Sequence, residues 1–170
     1  MYSVDYYKRK NLSSREEKSM QENKQQLYCF IRNAWVFASP EEYIRQATLK
    51  HLLDLGFSSS SLAVEKELKS MVDTSSKSKD LPDRRLDIVC YSKNSQEGLY
   101  PLLLIECKAV PISSKELRQV IGYNHYLKAP FIALINQNEK RLGWFDPQLS
   151  DYKFINYIPK HSELVSFITH

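Results

Sequence analysis

The chain has 170 residues, 42% of them hydrophobic and 26% charged, with a formal net charge of +4. That is the composition of one soluble globular domain with its own core rather than two domains. No apolar run approaches the roughly 20 residues a membrane span needs, and the excess of positive charge is as compatible with a mildly basic soluble protein as with a polyanionic partner.

The three cysteines, Cys29, Cys90 and Cys107, are odd in number and form no C-x-x-C pair. The pattern argues against a zinc knuckle or a disulfide framework and for reduced thiols in a reducing compartment. The first ten residues carry no apolar core of a signal peptide, so the expected location is the cytoplasm.

Residues 1–25 are polar, charged and without a sustained period, and read as a mobile tail ahead of a single domain over 26–170. Leu27 to Ile31 and Trp35 to Phe37, parted by Arg32-Asn33-Ala34, predict a β-hairpin. Ser39, Pro40 and Glu42 then mark a helix start as cap, first helical residue and capping-box acid. Ile44, Thr48, Leu52 and Leu55 form its stripe, and Gly56 stops it. Leu62 to Leu68 alternates as a strand, and residues 70–83 read as a flexible loop.

Arg85 to Tyr91 and Tyr100 to Lys108 are the next strands, the second apolar on both faces through Leu102-Leu-Leu-Ile105. Ser113 and Glu116 form a capping box for a helix with Leu117, Val120 and Ile121 on its apolar stripe. Phe131 to Ile135 is a buried strand, Arg141–Phe145 and Tyr152–Ile155 a closing hairpin, and Ser162 to Thr169 a short terminal helix. The step from Leu102 through a helix to Ile135 requires one parallel strand pair. The expected fold is α/β, a mixed central sheet flanked by helices.

The chemistry gathers at the end of the most apolar strand. Glu106 and Lys108 follow that run two residues apart and so point to the same face. A lone charge there would cost several kcal/mol or more, so these groups line a cleft, pair with each other or hold an ion. Asp87, between Leu86 and Ile88 on the preceding strand, can stand beside Glu106. Two adjacent carboxylates repel unless a cation intervenes, and hard oxygen ligands suit Mg²⁺ or Mn²⁺. Lys108 would then steady or help deprotonate an attacking water, a recipe for phosphodiester hydrolysis. Read from strand positions alone, a rim ion pair of Glu106 with Lys108 and a turn-facing Asp87 account for the pattern equally well.

Asp87-x18-Glu106-Cys107-Lys108 resembles the D…(D/E)-x-K signature of the PD-(D/E)XK nuclease superfamily. Further segments occur in order: Pro40-Glu-Glu-Tyr-Ile-Arg-Gln46, Val64-Glu65, Arg85-Leu-Asp87-Ile-Val89, Leu104-Ile-Glu-Cys-Lys108, Gln119-x-x-x-Tyr123-Asn124 and Ala129-Pro130-Phe131. This set is similar to the N-terminal nuclease domain of type I restriction enzyme R subunits, over about residues 27 to 158.

The resemblance implies a PD-(D/E)XK restriction-endonuclease-like core. It makes Asp87 and Glu106 ligands of Mg²⁺ or Mn²⁺, with the Cys107 backbone carbonyl as a third, and Lys108 the catalytic lysine. It also implies an acid on the first helix, Glu41 or Glu42; Glu42 is spoken for as capping-box residue, and Glu41, in phase with Ile44 and Thr48, is preferred. Gln119 and Tyr123, four apart on one helix face, would flank the site as in the exonuclease-like branch, the plain alternative being Tyr123 packed on the sheet. Arg84, Arg85, Lys115 and Arg118 are candidate contacts to backbone phosphates, or simply solvated strand and helix ends. Glu65 and Glu67 share a strand face and read as solvated, the alternative being that Glu65 touches the site.

The implied function is metal-dependent hydrolysis of DNA, endo- or exonucleolytic. The competing function is a catalytically silent nuclease fold that grips nucleic acid or a partner protein. No G-x-x-x-x-G-K-[ST] loop occurs, so ATP-driven translocation would come from a separate helicase or translocase partner. A homodimer is compatible with this reading, and a membrane partner is not expected.

Overall fold

The computed structural model of the protein describes residues 25–71, 83–94 and 98–169. The expected tail falls outside the described residues but for Gln25. Strands β1 (Gln26–Cys29) and β2 (Ala34–Phe37) pair antiparallel as the predicted hairpin, with Tyr28 across from Trp35.

Helix α1 (Pro40–Asp54) begins where Ser39 caps it, the Ser39 hydroxyl accepting the Glu42 N–H at 3.1 Å. The cap is one-sided: the Glu42 side chain does not return to the Ser39 backbone as a capping box would, because it is held elsewhere. The helix ends at Gly56, whose φ of 86° lets the chain turn so that the Phe57 N–H reaches the Leu52 carbonyl at 3.0 Å.

β3 (Leu62–Glu67) follows, and its end is cut one residue short of expectation by a single helical turn, α2 (Leu68–Met71), where the flexible loop was expected to begin. The remainder of that loop, 72–82, lies outside the described residues. β4 (Arg85–Asn94) and β5 (Gly98–Cys107) form a long antiparallel pair with a register shift at Cys90/Tyr91. Helix α3 (Ser114–Leu127), with the expected capping box of Ser113 and Glu116, crosses to β6 (Phe131–Ile135). β7 (Lys140–Asp146), β8 (Asp151–Ile155) and α4 (His161–Thr169) complete the chain.

The main sheet has six strands in sequence order, β3-β4-β5-β6-β7-β8. Only β5 and β6 run parallel, as the helical crossover between them requires. Period two divides the central strands between the faces. Leu103, Ile105, Phe131 and Ala133 join Leu49 and Leu52 of α1 and Leu164 of α4 in one core. Leu104, Ile132 and Leu134 join Val120 and Leu127 of α3 in the other. With helices on both faces, β5 reads apolar throughout, and each fully buried leucine contributes about 1.5–3 kcal/mol through burial. Asn124 fastens the end of α3 to the start of β6, donating to the Ala129 carbonyl and accepting its N–H, both at 2.8 Å.

Candidate active site

The site lies where β4 and β5 run out of apolar sequence. Ile88 pairs with Ile105 in the antiparallel register, and one step onward Asp87 stands across from Glu106. The Cys107 N–H donates to Asp87 Oδ2 at 2.7 Å. The next N–H, of Lys108, bonds the Ile135 carbonyl at 2.9 Å and so anchors the end of β5 to β6. Lys108 Nζ lies 3.3 Å from Glu106 Oε2. The fold thus brings Asp87, Glu106 and Lys108 together at the ends of β4 and β5.

Glu106 is 4% exposed, and among the described residues its Oε1 has no hydrogen-bond partner. Burial, and then the neighbouring Asp87 charge, push its carboxyl up to about 7 against the opposing pull of Lys108. Burial also pushes the Cys107 thiol up, which keeps it protonated, and the Thr48 hydroxyl of α1 lies against it.

A second group of charges surrounds Asp87. Arg45 of α1 places Nη2 2.5 Å from Asp87 Oδ1 and 2.7 Å from Glu65 Oε1. Its Nη1 pairs with Glu42, which also accepts from Arg32 and from Gln46, the last at 2.6 Å. Burial opposes the Arg45 charge, but Asp87, Glu65 and Glu42 more than restore it, so the guanidinium is held charged.

β3 is bent to serve this arrangement. Val64 pairs with Ile88 and Lys66 with Leu86, which sets Glu65 against Asp87, and Glu65 takes a φ of 54°. A side chain in the left-handed region costs roughly 1–2 kcal/mol, and the pairing with Arg45 opposes that cost. Glu65 is therefore bound into the site rather than solvated as its sequence position suggested; Glu67 on the same strand is exposed.

The helix acid in this network is Glu42, 3% exposed; Glu41, preferred from its phase, is half-buried and has no bond to Arg45 or Asp87 among the described residues. Gln119 donates to the Tyr123 hydroxyl at 2.6 Å, and among the described residues neither is bonded to Asp87, Glu106 or Lys108. Tyr123 itself is buried against the sheet. Arg84, Lys115 and Arg118 are exposed away from these bonds, and Arg85 approaches Glu65 only at 4.0 Å.

Arg45 carries the site's densest ionic contacts and was not singled out as a site residue in the sequence. Its signal was its phase, since Glu42, Arg45, Leu49 and Leu52 share the buried face of α1.

The donor set fits a hard divalent ion. Asp87 and Glu106 supply side-chain oxygens, the Cys107 carbonyl follows Glu106 directly in the chain, and the buried Glu106 Oε1 is an acceptor without a hydrogen-bond partner among the described residues. Among the described residues no three His, Cys, Asp or Glu side chains are arranged to hold a metal together, so such an ion would depend on backbone and solvent oxygens for the remainder of its shell.

The fold and site define an α/β domain with a six-stranded mixed sheet and a carboxylate pair and a lysine at the ends of its central strands. Residues 40–159, well over half of the chain, match the family described as type I restriction enzyme R protein N terminus, and the chain belongs to that family. The matched span starts at the first residue of α1 and takes in every residue of the two charge groups except Arg32. No curated protein and no solved structure matches the chain.

Proposed function

We propose that this protein is a divalent-metal-dependent nuclease of PD-(D/E)XK type, hydrolysing phosphodiester bonds of DNA. The observation that carries the reading is the Glu106 carboxylate: buried, one oxygen unpartnered, beside Asp87 and within 3.3 Å of Lys108. A carboxylate pair costs free energy in such a place unless a cation is shared between them. Asp87, Glu106 and the Cys107 carbonyl would hold Mg²⁺ or Mn²⁺, which supplies Lewis-acid polarisation of the phosphate and charge neutralisation.

The chain's own groups do the rest. The Cys107 N–H and Arg45 fix the two oxygens of Asp87. Lys108, 18% exposed at its side chain, stands at the border of the buried site and would orient a water and take part in its deprotonation. Glu42 acts through Arg45; Glu41, Gln119 and Tyr123 remain candidates for substrate contact, with Arg84, Arg85, Lys115 and Arg118 as phosphate contacts that fix position without reading sequence.

DNA is the partner that the family's description as a restriction-enzyme segment supports. Other subunits, among them a translocase, and a homodimer fit the same reading. The three buried free cysteines are in keeping with a reducing, cytoplasmic setting. Among the described residues no helix is long and apolar enough to cross a membrane.

Plasmid and single-stranded DNA incubated with Mg²⁺ or Mn²⁺, using wild type beside Lys108→Ala and Asp87→Ala, tests the proposal. Cleavage by wild type that both variants lose supports it. Metal binding without cleavage of any DNA or RNA moves the function to a silent binding module, a reading favoured by the hold that Arg45 already has on Asp87.

A further inference from the structure

We propose that Arg45 takes, as a permanent cation, the place a second divalent ion would occupy, so that this centre works with one ion per chain. The inference rests on the metal reading above and goes further, to the number of ions.

Phosphodiester hydrolysis by carboxylate centres uses one ion, or two held about 3.5–4 Å apart as a clamp on the attacking and leaving oxygens. A second ion needs carboxylate oxygens of its own. The acids near Asp87 that would supply them are Glu42 and Glu65. All three converge instead on one guanidinium: Arg45 Nη2 on Asp87 Oδ1 at 2.5 Å and on Glu65 Oε1 at 2.7 Å, with Nη1 on Glu42. The other side of Glu42 is taken by Arg32 and Gln46. Asp87 Oδ2 faces the Cys107 N–H. Among the described residues the buried acceptor left over is Glu106 Oε1, and the second oxygen of Glu65, at the exposed side, meets only Arg85 at 4.0 Å.

Charge points the same way. Around the site four carboxylates (Glu42, Glu65, Asp87, Glu106) meet three cations (Arg32, Arg45, Lys108) through direct ion pairs. Arg85 adds little, being exposed and 4.0 Å from Glu65. One divalent ion and one phosphodiester anion bring such a group to neutrality; two divalent ions leave it two charges in excess, a heavy cost for groups as buried as these. Arginine suits the role because it keeps its proton under burial and donates along several directions at once. Arg45, with its side chain 8% exposed, is a positioning residue that joins one oxygen of Asp87 to one oxygen of Glu65.

Mn²⁺ titration of the full chain at pH 8, with free ion counted by electron paramagnetic resonance and the total by calorimetry, reads the number directly. Wild type is expected to bind one ion and Glu106→Gln none. Arg45→Gln, with its fold checked by circular dichroism, is expected to bind two, as Glu42, Glu65 and Asp87 are released. Two ions in wild type overturn the inference while leaving the metal reading standing. No ion in wild type overturns both. One ion in wild type and still one in a folded Arg45→Gln overturns the role of Arg45. Should Arg45→Gln fail to fold, the wild-type count decides alone.

Discussion

The Arg45 guanidinium lies 2.5 Å from the Asp87 carboxylate, and the two residues come from different layers, α1 and the central sheet. An acid proposed to hold a metal is thus held first by the protein, through a helix whose other buried side chains, Leu49 and Leu52, are plain core. Site and fold share the same packing, so substitutions at the junction act on both.

Arg45→Met is the severest test of that junction. It leaves Asp87, Glu65 and Glu42 without their common partner, and removing one member of a buried ionic group costs about 3–5 kcal/mol. Urea unfolding of the metal-free protein should show a lower midpoint with an unchanged slope. A loss under about 1 kcal/mol, the range of surface ion pairs, would mean that the network is solvated in solution.

The pH dependence follows from Glu106. Its carboxyl is raised to about 7 in the fold, above the roughly 4.3 of an unfolded glutamate. A group whose folded value is raised contributes stability fully present below the unfolded value and lost as pH rises through the folded one. Between about pH 4.5 and 7 the metal-free protein should therefore lose on the order of 3 kcal/mol at this residue. Glu106→Gln should flatten that slope and be the more stable form at pH 8. Metal binding runs the opposite way, since only the ionised carboxylate is a good ligand: wild-type Mn²⁺ affinity should weaken about tenfold per pH unit below 7. Thermal melts across pH 5–8, with and without Mn²⁺, read both trends at once.

Lys108→Ala separates proton chemistry from metal holding. Lys108 opposes the rise in the Glu106 carboxyl, so its removal raises that carboxyl further and shifts metal binding to higher pH. Rates compared at a pH above the midpoint of metal binding measured for each protein should still fall by about 10²–10⁴, the contribution of a positioned proton-transfer group. Recovery of the full rate under that condition would reduce Lys108 to an electrostatic partner of Glu106.

Much of this was legible in the sequence, for reasons that are local. The hairpin, both helix caps and the parallel step into β6 are written in short-range signals: turn residues, Ser39 and Ser113 as caps, and two apolar runs joined by an amphipathic helix. Glu106 and Lys108 were exposed as site candidates by the apolar run before them, because a charge directly after a central strand demands a reason. Arg45 and Glu65 gave no such contrast. On α1 the expected stripe of Ile44, Thr48, Leu52 and Leu55 took in two of the buried positions, Thr48 and Leu52, and left out Glu42, Arg45 and Leu49, which share their buried face. Charged residues on a helix read as solvated until partners are known, and those of Arg45 arrive from β3 and β4, twenty and forty-two positions on. Glu65 was hidden by its backbone, since strict alternation fails where φ turns positive at 54°.

That backbone irregularity makes the last prediction. Glu65 spends conformational free energy to aim its carboxylate at Arg45, so its two contributions have opposite sign and separate by substitution. Glu65→Gly relieves the left-handed strain, worth roughly 1–2 kcal/mol, and removes the ion pair; Glu65→Gln removes the charge and keeps the strain. If the pair with Arg45 is what stabilises the bend, Glu65→Gln should be the less stable of the two by about 1 kcal/mol. The same difference should appear in amide exchange at Val64 and Lys66, the paired positions either side of the bend. Equal stabilities would place the strain elsewhere in β3 and make the positive φ a consequence of strand pairing rather than of the charge it presents.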